Sequence, residues 1–204
     1  MLVLSLLVLA LLSQGVGSPW GARWEAFALD SLRNWRTPLA DRLMETVTHL
    51  GDLPVLLALA GGLAAAGWPS RSSADRGALL LVVAGSGLGN LLLKAWFERP
   101  RPGPDFEPLL SEPWWSFPSG HAMMTLAFYG FLAGRLLERP GAGARALAGL
   151  LGLLVVLVGL SRVYLAVHYP ADVLAGYAAG APFLWAALAL ARSRGGRDPG
   201  QAGR

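Results

Sequence analysis

Two of the three histidines in this chain, His121 and His168, stand in short polar blocks that also hold three cations. The blocks are Lys94 with Arg101-Pro102, Pro118-Ser119-Gly120-His121, and Ser161-Arg162 with His168 and Asp172. A phosphate ester needs several cationic donors around its non-bridging oxygens, for binding and for the charge of the transition state. Arg101 and Arg162 can each hold two phosphate oxygens, and Lys94 acts as a point charge. Ser119-Gly120 opens a helix whose free N–H groups favour an anion, with Ser119 expected as its N-cap and Gly120 allowing close approach of phosphate to the backbone. His168 and Asp172 are four residues apart across Pro170. A carboxylate there can hold one ring nitrogen and leave the other to attack phosphorus; the plainer role for Asp172 is as partner of a helix dipole. Two histidines allow a two-step reaction, one as nucleophile and the other as acid and then base. No Asp, Glu and His group has metal-ligand spacing, so metal-independent chemistry without a cofactor is expected.

Each block lies at the end of an apolar stretch. Of the 204 residues, 54% are hydrophobic and 15% charged, and the mean hydropathy is +0.47, values of a membrane protein rather than a soluble domain. Apolar runs near 2–16, 53–68, 78–97, 119–137, 146–165 and 170–191 predict an all-α, polytopic membrane protein with six transmembrane helices in one bundle. Residues 1–192 form its single domain, and 193–204 a disordered cytoplasmic tail. The first run lacks a basic flank, which favours a retained helix over a cleaved signal peptide. Between the first two runs, Thr37-Pro38 reads as the capped start of a short amphipathic helix on the membrane surface. His49 belongs to that helix and reads as a surface or packing histidine, with no carboxylate or cysteine at ligand spacing.

The net charge is +4, and the cations are 16 arginines and one lysine. The arginines lie in loops rather than along one stripe, so membrane topology explains them better than nucleic acid does. Arg71, Arg76, Arg135, Arg139, Arg145 and the C-terminal arginines place their loops in the cytoplasm by the positive-inside rule, and the three blocks on the outer face. There are no cysteines, which removes thiol nucleophiles and disulfides.

On KAWFERPRP at 94–102, PSGH at 118–121 and SRVYLAVHYPAD at 161–172, the chain resembles the type 2 phosphatidic acid phosphatase (PAP2) superfamily. The likeness covers about 80–180. It implies His168 as nucleophile, Asp172 as its orienting carboxylate and His121 as general acid. Lys94, Arg101, Ser119, Gly120 and Arg162 would bind phosphate, without magnesium. It further implies a lipid phosphatase of a bacterial inner membrane, acting on phosphatidylglycerophosphate, phosphatidic acid or undecaprenyl diphosphate. Trp96, Phe97, Trp114, Trp115 and Phe117 are expected at the headgroup level beside the site. A lipid phosphotransferase using the same phosphohistidine, and a non-enzymatic lipid-binding or transport protein, stay open on the residues alone.

Overall fold

The computed structural model describes residues 2–68 and 72–193. The regular elements among these are all helical: α1 (Leu2–Gly15), α2 (Pro19–Arg33), α3 (Pro38–His49), α4 (Leu53–Ala66), α5 (Ser73–Leu80), α6 (Ser86–Phe97), α7 (Gly120–Leu137), α8 (Ala142–Tyr164) and α9 (Pro170–Ser193). A π-helical turn, Leu81–Gly85, joins α5 to α6, and a single 3-10 turn, Pro104–Phe106, lies in the loop after α6.

Among the described residues, three helical rods are long and apolar enough to cross a membrane: Ser73–Phe97, Ala142–Tyr164 and Pro170–Ser193. The count rises to five if α1 with α2, bent by 92°, and α3 with α4, bent by 53°, each form one span. The first rod begins at Ser73 rather than Ala78 because the Ser72 hydroxyl accepts the Asp75 N–H and caps it. Ser193 closes α9 instead of opening a tail; the rest of the expected tail, 194–204, lies outside the described residues.

α7 is the central helix, packed on both α8 and α9. Ala122, Met123, Ala127, Phe128 and Phe131 along it are fully buried. A helix shielded from lipid by its neighbours can carry His121, Thr125 and Tyr129 among its apolar residues. Its contact with α9 depends on Gly176 and Gly180. A Cβ at either position would lie 2.5 Å from a carbonyl oxygen of α7, at Ser119 and Met123 respectively, so only glycine permits this approach.

The segment 18–52 holds two helices, not the single one expected. Ser18 accepts the Gly21 N–H at 3.0 Å with Pro19 next, the same cap-and-proline signal as Thr37-Pro38, where Thr37 accepts the Ala40 N–H at 3.2 Å. α2 turns Trp20, Trp24 and Phe27 outward and buries Glu25 and Leu29. The bundle thus has two polar ends. At one, Arg135 pairs with Asp75 at 3.3 Å and Arg192 with Glu138 at 2.8 Å. At the other, the C-termini of α6 and α8 meet the N-termini of α7 and α9, and the three sequence blocks come together.

Candidate active site

α8 ends in a Schellman motif, with Ala166 N–H on the Val163 carbonyl at 3.0 Å and Val167 N–H on the Arg162 carbonyl at 3.2 Å. Ala166 takes the left-handed position usually given to glycine (φ 54°), at a cost of about 1 kcal/mol. The turn it makes is what delivers His168, whose N–H also reaches the Arg162 carbonyl at 3.2 Å. Pro170 then starts α9, and Asp172 falls in its first turn.

His168 is 1% exposed. Its Nδ1 lies 3.3 Å from Asp172 Oδ2 and its Nε2 lies 3.2 Å from Arg101 Nη1. A guanidinium only donates, so Nε2 is the acceptor and Nδ1 carries the proton toward Asp172. Burial, then the charges of Arg101, Arg162 and Lys94, push the His168 pKa well below the ordinary histidine value. The ring is neutral, with its lone pair turned to the cations.

Lys94, Arg101, His121 and His168 line one cavity of about 180 Å³ together with Asn90, Glu112 and Trp114. The Lys94 ammonium donates to the Trp115 carbonyl and is buried rather than reaching out to an interface. Arg101 donates to the carbonyls of Val167 at 2.8 Å and Trp114 at 3.0 Å. Arg162 is fully buried and donates to Thr48 Oγ1 at 2.6 Å. Ser119 occupies the N-cap position of α7, but its side chain makes no capping bond. Its N–H instead reaches the Asp172 carbonyl at 2.9 Å, tying α7 to α9. Ser119 Oγ and Arg162 Nε are buried without a partner, two donors that a phosphate oxygen would satisfy. Gly120 answers to Asn90: a Cβ would sit 2.7 Å from Asn90 Oδ1. Asn90 holds the Pro118 carbonyl at 3.1 Å, next to the cis Phe117–Pro118 bond.

Four charged participants escaped the sequence reading: Glu112, Arg99, its partner Glu25, and Asp52. Glu112 sits between the two guanidiniums, on Arg162 Nη2 and 3.2 Å from Arg101 Nη2. Burial opposes its ionisation, but Arg162 and the other cations outweigh this and hold its carboxyl below the usual range. Arg99 is buried and donates to Asp172 Oδ1 at 2.5 Å and to Glu25 Oε2 at 2.6 Å, with its guanidinium 4.1 Å from the Tyr169 ring centroid. Asp52 is the fourth: Oδ1 lies 2.8 Å from His121 Nε2 and Oδ2 lies 2.8 Å from His49 Nδ1. His49 is therefore a surface histidine with a carboxylate partner. The one local hint was the pair Arg99 and Arg101 around Pro100, where only one arginine was needed by the motif. Among the expected aromatics, Trp96 and Trp114 are exposed, whereas Phe117 is buried against Phe97 with ring centroids 4.8 Å apart. It belongs to the core because its neighbours Ser116 and Pro118 are both pinned inward, by Pro100 and Asn90. Among the described residues no group of three His, Asp or Glu side chains could hold a metal ion.

Residues 76–195 match the family model of the PAP2 superfamily. The chain belongs to the PAP2 superfamily. A curated relative, phosphatidylglycerophosphatase B of Bacillus subtilis (strain 168), is 38% identical over 148 residues, 71% of this chain and 72% of the relative. The crystal structure of a transmembrane PAP2-type phosphatidylglycerolphosphate phosphatase from Bacillus subtilis superposes with a TM-score of 0.86 at 31% identity, covering 94% of this chain and 96% of that one. Aquifex aeolicus LpxE superposes with a TM-score of 0.65 at 27% identity, covering 79% and 92%. As a PAP2 protein with apolar spanning helices, the chain is an integral membrane phosphatase.

Proposed function

We propose that this phosphatase removes phosphate from a lipid phosphomonoester or diphosphate, with phosphatidylglycerophosphate as the favoured substrate, through a phosphohistidine on His168. The observation that carries this reading is the His168 ring itself, protonated toward Asp172 and presenting Nε2 to Arg101 in a cationic cavity. The preference for phosphatidylglycerophosphate is supported by the likeness, in sequence and in structure, to phosphatidylglycerophosphate phosphatase of Bacillus subtilis.

In the first step Nε2 attacks phosphorus, the P–O bond to the lipid breaks, and His121 gives its proton to the leaving oxygen. In the second, His121 takes a proton from water, the water oxygen attacks phosphorus, and the P–N bond breaks to free His168 and inorganic phosphate. Asp172 steadies the imidazolium character that grows at Nδ1–H as Nε2 is phosphorylated. Arg101 and Arg162 share one carboxylate, Glu112, so they are spaced to share one tetrahedral anion in its place. With Lys94 they supply the positive charge that the transition state requires, and the reaction is proposed to be metal-independent. Counting α7 as a sixth span beside the five others gives a six-helix bundle over 1–192. Loop arginines support a site on the outer face, and the membrane proposed is a bacterial inner membrane.

The test is phosphate release by the detergent-purified protein in EDTA, from phosphatidylglycerophosphate, phosphatidic acid and undecaprenyl diphosphate. Release that His168→Ala abolishes is expected. Transfer of phosphate to a second lipid instead of release would make the protein a phosphotransferase, and loss of activity in EDTA would overturn metal independence.

A further inference from the structure

We infer that Asp52 is the positioning carboxylate of His121, and that the turn Thr48–Asp52 is a fourth wall of the active site beside the three motif blocks. The inference rests on the role proposed above for His121. Asp52 stands at the N-cap of α4, where an aspartate ordinarily accepts N–H groups of the first turn, yet its side chain makes no such bond. Both carboxylate oxygens are turned away to imidazoles, Oδ1 to His121 and Oδ2 to His49, each at 2.8 Å. The usual reason for aspartate at this position is therefore absent, and the bond to His121 takes its place.

The turn is shaped for that bond. A Cβ on Gly51 would lie 2.8 Å from His121 Cδ2 and 2.8 Å from Val158 Cγ1, so the backbone is pressed against the imidazole where only glycine fits. The Tyr129 hydroxyl, two turns further along α7, donates to the Leu50 carbonyl at 2.7 Å and pins the turn to the helix that carries His121. At its other end, Thr48 Oγ1 accepts from Arg162 at 2.6 Å. One five-residue turn thus touches the general acid through Asp52 and a phosphate-binding cation through Thr48.

With Nε2–H held by Asp52, Nδ1 is the nitrogen left to exchange a proton with substrate and water. A carboxylate on the far nitrogen fixes the ring plane and stabilises the imidazolium that donates the proton. Glu112, Arg162 and His168 also act on this ring from the 98–119 loop, α8 and the α8–α9 loop, so the carboxylate adds to a mixed field rather than setting it alone.

The experiment compares Asp52→Asn and Asp52→Ser with wild type and His121→Ala, measuring kcat and KM for phosphatidylglycerophosphate in detergent. Serine caps a helix as well as aspartate does, so Asp52→Ser preserves the fold of the turn while removing the carboxylate. Both variants are expected to lose about 10–100-fold in kcat, part of what a general acid contributes, with KM within about threefold. Wild-type kcat in Asp52→Ser would overturn the inference and leave the Asp52–His121 bond without a part in catalysis. A rise in KM with kcat unchanged would overturn it too. If His121→Ala itself retains full rate, the proposed mechanism fails; if His121→Ala is inactive and Asp52→Ser is normal, only the positioning role fails.

Discussion

His168 and Asp172 are four residues apart and 1% and 0% exposed, whereas the side chains of His121 and Asp52 come from positions 69 apart and remain 13% and 35% exposed. The first pair is buried beside Arg101, Arg162 and Lys94, which favours a neutral, nucleophilic imidazole. The second is partly exposed and carries a carboxylate shared with an exposed histidine, an environment suited to gaining and losing protons at each turnover. Burial also makes the first pair expensive. Asp172 is compensated by Arg99, which is compensated in turn by Glu25 of α2, so the nucleophile depends on a chain of ion pairs reaching an element far from the motifs.

Removing the nucleophile should have the largest effect: His168→Ala is expected to show no phosphate release above background in the assay described above. Asp172→Asn keeps the shape and loses the charge, and should cost about 10²–10⁴-fold in kcat, more than either Asp52 variant. A smaller loss for Asp172→Asn than for Asp52→Asn would invert the contrast between the pairs. Arg99→Met tests the ion-pair chain by stability rather than rate. It leaves Asp172 and Glu25 buried and uncompensated, at a cost of about 3–5 kcal/mol, read as a lower melting temperature in detergent. An unchanged melting temperature would mean that the two carboxylates are protonated.

The pH profile sharpens the comparison further. His168 must be neutral to attack, and its pKa lies well below the ordinary 6.5. Activity should therefore rise with pH through that lowered value, and the acid limb of kcat/KM should fall clearly below pH 6.5. A limb at or above 6.5 would place a different group in control. The smallest effect is expected from Glu112→Gln. Its ionised carboxylate holds the guanidiniums that substrate phosphate needs, so neutralising it should lower KM about fivefold, worth about 1 kcal/mol, with little change in kcat. A higher KM would instead make Glu112 a substrate contact.

Several short-range features were legible in the sequence: apolar stretches of spanning length, Thr37-Pro38 as a helix start, and the His168–Asp172 spacing of one helical turn. The three blocks were legible because each lies within a dozen residues, and because cations and imidazoles stand out against apolar helices. Where the local signal had two uses, only one was legible: Ser119 takes the expected N-cap position but its hydroxyl makes no capping bond, and Gly120 also makes room for Asn90. What the tertiary structure alone decided are the pairings over distance, Arg162 with Glu112 across 50 residues, His121 with Asp52 across 69, and Asp172 with Arg99 and Arg99 with Glu25 across 73 and 74. An acidic residue in a loop or at a helix start has an ordinary reason to be there, in solvation or capping. Its second use exists only once helix packing brings a distant cation or imidazole against it, and no local period or spacing records which partner that will be.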